Sequence, residues 1–342
     1  MLYKLIEVGR RVAQTYQASR NWARFHKTHS HLVEYNKPYK TPSDLARKLH
    51  QQGLHIADRR FAELTIFREN YFRFKAYAIP FLDKTTDQFF HGTSFNDLYN
   101  LYCADQRMRD FLLPILATLE VRIRAVIDNV VTSTTRDPFW HLDQSLFRSY
   151  APVGQALKKA QDRFSKGKQE FVQHYREKYY TKKSYNNRHC PPFWIISEIL
   201  TLEQLTSCCK SLNKEHPAFF VSQGKNRLND AATPFGLTSY DSLITNLSCI
   251  MQLRNLCAHH NRLWNRNLQM PAGVQKGRMA PTHINRLYSV LVMLRVMCKA
   301  QGIDDGIASF MSGMFASTPT FSRDMGSMGF PSAWQSDSIW QP

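Results

Sequence analysis

The stretch "SFNDLYNLYCADQRMRDFLLPILATLEVRIRAVIDNVVTS", residues 94–133, constrains the fold more than any other part of this chain. Leu112, Ile115, Leu116, Leu119, Ile123, Val126, Ile127 and Val130 recur at steps of three and four, which is one face of an amphipathic helix. A helix that long cannot bury its apolar face alone, so other elements must pack along it. Pro114 lacks an N–H and crowds the preceding turn, which predicts a kink or a division there. Glu120, Arg124 and Asp128 form the opposite stripe at spacing suited to ion pairs, and Glu120 with Arg124 reads as structural.

Other segments carry the same period. "KPYKTPSDLARKLHQQGL" has Thr41 as N-cap, Pro42 at the first helical position and Asp44 in the first turn, with a stop at Gly53. "ADRRFAELTIFRENYFRFKAYAIPF" predicts a second, aromatic-rich helix ending near Pro80. "PPFWIISEILTLEQLTSCCKSL", "TSYDSLITNLSCIMQLRNLCAHH" and "HINRLYSVLVMLRVMCKA" predict three more. In the second of these, Leu243, Leu247, Ile250, Met251 and Leu253 or Leu256 make the buried stripe. No alternating strand pattern and no internal repeat appear, so the expected class is all-α.

The chain divides by composition. Residues 1–36 read as a basic helical arm carrying Arg10, Arg11, Arg20 and Arg24. Residues 37–150 form an N-terminal helical part, and 191–302 a helical core. Between them, residues 151–190 are an insertion rich in Lys and Tyr, including Lys158, Lys159, Arg163, Lys166, Lys168, Lys182 and Lys183. Its tyrosines, Tyr175, Tyr179, Tyr180 and Tyr185, are interleaved with cations, as suits single-stranded or irregular RNA; the other reading is a solvated helical face. Residues 303–342 are Ser-, Met- and Gly-rich and predict an irregular tail.

With 45 Lys and Arg against 27 Asp and Glu, the formal net charge is +18, which favours a polyanionic partner. The best apolar run, "LYSVLVMLRVMC", is interrupted by Arg295, so no membrane span is expected. The N-terminus lacks a signal-peptide pattern. Seven cysteines without a C-x-x-C pair argue against a disulfide framework or a zinc site, and imply a cytoplasmic location. No cofactor or metal is expected.

The richest chemistry lies in "LRNLCAHHNRLWNR", residues 253–266. Histidine exchanges protons near neutral pH, and arginine holds phosphate and steadies the charge building on it. Together they suffice for RNA cleavage without a metal, because the 2′-hydroxyl of RNA is itself the nucleophile. The chain has no H-E-x-x-H motif and no obvious carboxylate cluster. Arg-x4-His alone selects little: Arg24/His29, Arg136/His141, Arg254/His259 and Arg278/His283 all fit. Only Arg254/His259 follows a strong helix, has an asparagine directly after the arginine, and continues into Arg262 and Arg266.

On a straight helix, positions five apart point about 140° from each other, whereas Asn255 and His259 share a face. Either the helix loosens near His259, or a second copy completes the site across a two-fold axis; the homodimer is the expectation. His260 reads either as an RNA contact or as a helix-ending residue. Trp264 suits a packing anchor better than a stacking platform. Arg262 and Arg266 either grip RNA, stay solvated or pair with acids.

The chain resembles the Abi-like (AbiD/AbiF) abortive-infection proteins, whose hallmark is similar to "LRNLCAHHNRLWNR". "KPYKT", "FRENYFRFKAYAIPF", "LYCADQRMRDFLLPILATLEVRIRAVI", "PPFWIISEILTLEQL" and "MGFPSAWQSDSIW" agree in order, from about residue 37 to the C-terminus. "TLEQLT" stands where the family usually has a Ser-Phe-Gly-like step. The resemblance implies a HEPN-type helical fold and an endoribonuclease with Arg254, Asn255 and His259 as its catalytic core. It further implies phage defence by toxicity to the host, and a structured non-coding RNA that binds and restrains the nuclease. A catalytically inactive RNA-binding protein of an anti-phage ribonucleoprotein is the alternative.

Overall fold

The computed structural model describes residues 33, 35–179, 182–185, 188–221, 224–274 and 278–341. The expected basic arm, with Arg10, Arg11, Arg20 and Arg24, lies outside the described residues. The described chain is helical. Helix α1 spans Pro42–Gln51, α2 Arg59–Glu69, α3 Tyr71–Phe74, α4 Phe95–Thr135, α5 Ala151–Lys166 and α6 Glu170–Lys178. They are followed by α7 Phe193–Ile199, α8 Leu202–Ser211, α9 Tyr240–Ala258, α10 Leu287–Ala300, α11 Ile307–Ser317 and α12 Pro319–Arg323. Two antiparallel ribbons of two-residue strands complete the elements: β1 (Leu82–Asp83) with β2 (Gln88–Phe89), and β3 (Ser184–Tyr185) with β4 (Arg188–His189).

Helix α4 starts where its sequence allows. Ser94 and Asp97 form a capping box: Ser94 N–H donates to Asp97 Oδ2 at 2.8 Å, and Asp97 N–H to Ser94 Oγ at 3.3 Å. The helix then runs 41 residues without a break and ends at Arg136, which takes φ +57°. Of the two expected outcomes at Pro114, a kink or a division, the helix is not divided: the ring costs a backbone hydrogen bond, and burial on both sides holds the rest.

Burial of α4 exceeds the predicted stripe. Leu98, Leu101, Ala104, Met108, Leu112, Leu116, Leu119, Ile123, Ile127 and Val131 are all buried, but so are Asp105, Arg109, Arg124 and Asp128. The polar stripe is thus internal rather than solvated. The Glu120–Arg124 pair forms at 3.0 Å. Asp128 instead accepts from Thr132 Oγ1 (2.9 Å) and Trp140 Nε1 (3.3 Å). Helix α9 packs along α4, and α8 packs against both α5 and α9. A central core runs through α4, α9 and α10.

Helix α1 begins as its sequence predicts, with Thr41 and Asp44 in a capping box and Pro42 in the first turn. The aromatic-rich segment is not one helix. Asn70 adopts φ +61°, a conformation asparagine tolerates, and its side chain accepts from Phe72 N–H at 3.0 Å to start α3. "TLEQ" caps α8, with Thr201 accepting from Gln204 N–H at 3.3 Å.

The C-terminal tail is ordered rather than irregular. Helices α11 and α12 lie within it, and Phe321, Phe330, Trp334 and Trp340 are buried. Arg295 of α10 holds the end of the chain, donating to the Ile339 carbonyl at 3.0 Å and pairing with Asp305 at 3.1 Å. Aromatic anchors spaced by glycine and serine carry no helical period, so the pattern alone hid this packing.

Candidate functional site

The site is built at the C-terminal end of α9. Ser239 caps the other end, accepting from Ser242 N–H at 3.2 Å, and the helix is buried almost throughout, with Leu243, Leu247, Ile250, Leu253 and Leu256 in the core. Leu253 and Leu256 are both buried, while Met251 is only half-buried. This fixes the last turn, which carries Arg254 and Asn255, both half-buried.

The helix stops in a Schellman arrangement. His259 N–H still reaches the Asn255 carbonyl at 3.0 Å, His260 N–H returns to Cys257 O (3.1 Å), and Asn261 N–H to Leu256 O (2.8 Å). His260 supplies the left-handed residue this motif needs, at φ +53°. It is therefore a helix-ending residue through its backbone, while its ring and that of His259 are exposed. Arg73 of the α3 turn donates to the His260 carbonyl at 3.1 Å, tying the turn to the motif.

Arg254 is held on two sides. Its Nη1 donates to Asn255 Oδ1 at 3.3 Å, and its Nε lies 3.5 Å from Glu120 Oε2 on α4. Glu120 is held in turn by Arg124, whose Nη1 donates to the Ser197 and Leu200 carbonyls at the end of α7. A carboxylate on the Nε edge and an amide on one Nη leave the rest of the guanidinium fork for an external anion. The Arg254 side chain is 38 % exposed, so that edge reaches solvent.

The segment after the helix is pinned by Asp105. This fully buried carboxylate accepts from the Tyr77 hydroxyl (2.6 Å), Leu263 N–H (3.2 Å) and Trp264 N–H (2.7 Å), and pairs with Arg109. Burial pushes the Asp105 pKa up, while Arg109 and the hydrogen bonds oppose that rise. The Tyr77, Leu263, Trp264 and Arg109 groups on its oxygens are all donors, the environment of a carboxylate rather than an acid. Trp264 is buried as a packing anchor, and the Arg262 guanidinium lies 5.7 Å from its ring centroid. Arg266 is exposed.

The cations of residues 151–190 are elsewhere. Lys158, Lys159, Arg163 and Lys166 are on α5, Lys168 is in the connection to α6, and Lys182 and Lys183 precede β3; all are exposed. Arg163 also has a structural duty, donating to the Ile199 carbonyl and Gln204 Oε1, each at 3.0 Å. With Lys166, Lys168 and Glu198 it lines an open cleft of about 760 Å³. Tyr185 packs against α5: a Cβ on Gly154 would lie 2.4 Å from its hydroxyl, so a larger residue there would push the Tyr185 ring aside. Among the other Arg-x4-His pairs, His141 is buried beside Cys190 (3.4 Å), and burial lowers its pKa to about 3.

Sequence reasoning missed Asp105, Tyr77, Arg109 and Arg73, and missed that Glu120 serves Arg254. One signal was present: Asp105 and Arg109 are four apart and interleave with Leu101, Met108 and Leu112 on a core-facing helix. Charges at such positions must be paired. Among the described residues, no group of three His, Cys, Asp or Glu is placed to hold a metal ion, and no helix is long and apolar enough to cross a membrane.

No curated protein and no solved structure matches the chain. One family does, described as Abi-like protein, and it matches residues 65–265. That span contains Asp105, Glu120 and the motif from Leu253 to Asn265, and covers more than half of the 342 residues. The chain therefore belongs to the Abi-like protein family.

Proposed function

We propose that this protein is a metal-independent endoribonuclease of the HEPN type, acting as an abortive-infection toxin. Family membership suggests the role in abortive infection and phage defence. The observation that carries the chemistry is the exposed end of α9, where Arg254, steadied by Glu120 and Asn255, lies one turn from an exposed His259. In the reaction, the O2′–P bond forms as the P–O5′ bond breaks. His259 takes the 2′-hydroxyl proton and a proton is returned to O5′, leaving 2′,3′-cyclic phosphate and 5′-hydroxyl ends. Arg254 stabilises the charge on the pentacoordinate phosphorus, and Asn255 orients Arg254.

One copy supplies half of the centre. On an ideal helix positions five apart point about 140° from each other, and His259 is the C-cap directly after the last turn of α9; in this reading a homodimer brings an arginine of one copy to the histidine of the other. His260, Arg262, Arg266 and the exposed cations of α5 hold RNA rather than cut it. The +18 charge suits a cognate structured non-coding RNA that restrains the enzyme. The test is toxicity in cells: Arg254→Ala and His259→Ala should each abolish it while RNA still co-purifies. Variants that remain toxic would overturn the nuclease reading.

A further inference from the structure

The end of α5, helix α6 and α7 share a small core of Phe164, Val172 and Ile195, whereas Val153, Ala156, Leu157 and Ala160 of α5 belong to the main core. Along α6 and just past its end, Phe171, His174, Tyr175, Lys178 and Tyr179 recur at three- and four-residue steps and so share one face. Their rings are arranged rather than scattered. Tyr175 and Tyr179 centroids are 5.0 Å apart, and His174 and Tyr179 5.6 Å. Trp194 of α7 joins them, its indole N–H donating to the Tyr175 hydroxyl at 3.3 Å.

These rings remain in solvent: Tyr179 is 50 % exposed, Trp194 42 % and Phe171 37 %. The Lys178 ammonium sits 5.9 Å from the Tyr179 centroid, and Lys166, Lys168 and Lys182 nearby in the sequence are exposed. An apolar protein partner would have to strip water from these cations without a counter-charge. A single nucleic-acid strand offers phosphates to the lysines and flat bases to the rings. A duplex hides its base faces, so it could use only the cations.

We infer that Tyr179 and Trp194 form a stacking platform for unpaired bases of a bound RNA strand, at a site distinct from the end of α9. This rests on the RNA-directed part of the reading above and not on cleavage. The platform anchors a single-stranded segment by its bases, while the surrounding lysines hold the backbone.

The test uses full-length protein carrying His259→Ala, so that RNA is bound without being cut. Anisotropy is measured with a short single-stranded RNA and with a blunt duplex of equal length. Tyr179→Ala or Trp194→Ala should weaken single-strand binding about 5- to 50-fold and leave duplex binding unchanged. Tyr179→Phe and Trp194→Phe should retain affinity, because they keep a ring, and Trp194→Phe should lose the quenching of tryptophan emission that single strands cause. Equal single-strand affinity in the alanine variants would overturn the inference. So would a matching loss for duplex, or a change of oligomeric state by light scattering, which would make the patch a protein contact. Cleavage by the unsubstituted protein is scored separately, so either reading can fail alone.

Discussion

Replacing Asp105 by alanine isolates how the motif segment is held. The carboxylate is wholly buried and neutralises Arg109, whose side chain is only 3 % exposed and bonds Asp105 through Nη1. It also satisfies the Leu263 and Trp264 N–H groups. Removing one member of a buried ion pair costs about 3–5 kcal/mol, and each buried donor left unmet adds about 1–3 kcal/mol before relaxation. Against a typical total stability of about 5–15 kcal/mol, Asp105→Ala should come close to unfolding the protein. Urea unfolding followed by circular dichroism measures the loss. If the stranded Arg109 charge dominates, Asp105→Leu with Arg109→Met should recover more than half of it, since apolar replacement of a whole buried pair is often neutral. A loss below about 1 kcal/mol for Asp105→Ala, or a double variant worse than the single, would refute this reasoning.

Glu120→Ala should cost about 3 kcal/mol because it strands the nearly buried Arg124. Arg254→Ala, on the more exposed side of the same carboxylate, should cost at most about 1 kcal/mol in the same unfolding assay. His141 gives a pH signature. Burial holds its folded pKa near 3, below the ordinary 6.5, so only the unfolded chain takes up a proton between those values. Its contribution to stability is present above pH 6.5 and is lost as pH falls toward 3, at about 1.4 kcal/mol per unit. Unfolding midpoints between pH 7 and 5 should therefore slope less in His141→Gln than in the natural protein. Lys166→Ala with Lys168→Ala should lower the slope of log affinity for single-stranded RNA against log salt by about 1.4, and unchanged salt dependence would remove both from the RNA contact surface.

Local signals in the sequence were legible wherever a short-range rule acts. Thr41 with Asp44 starts α1 in the capping box its spacing predicts, and the apolar period of α4 and α9 marks both helices. The same period placed Arg254 in the last turn of α9, and His259 is the C-cap where that helix ends. What could not be read was tertiary. The i, i+4 pairing of Glu120 with Arg124 was visible, but the approach of Arg254 depends on how α9 crosses α4. At Pro114 the division did not occur, because the lost hydrogen bond is small beside the burial of the 41-residue helix that contains it. The tail misled because Phe330, Trp334 and Trp340 are strong anchors without any period.

The central claim, that the Arg254–Asn255–His259 end of α9 cuts RNA through the RNA's own 2′-hydroxyl, has one direct measurement. Purified protein is incubated with single-stranded RNA in excess EDTA, and the product ends are identified by mass spectrometry. Cleavage should persist, yield 2′,3′-cyclic or 3′-phosphate with 5′-hydroxyl ends, and vanish in His259→Ala while RNA binding stays nearly intact. A requirement for Mg²⁺, or 5′-phosphate ends, would contradict the account.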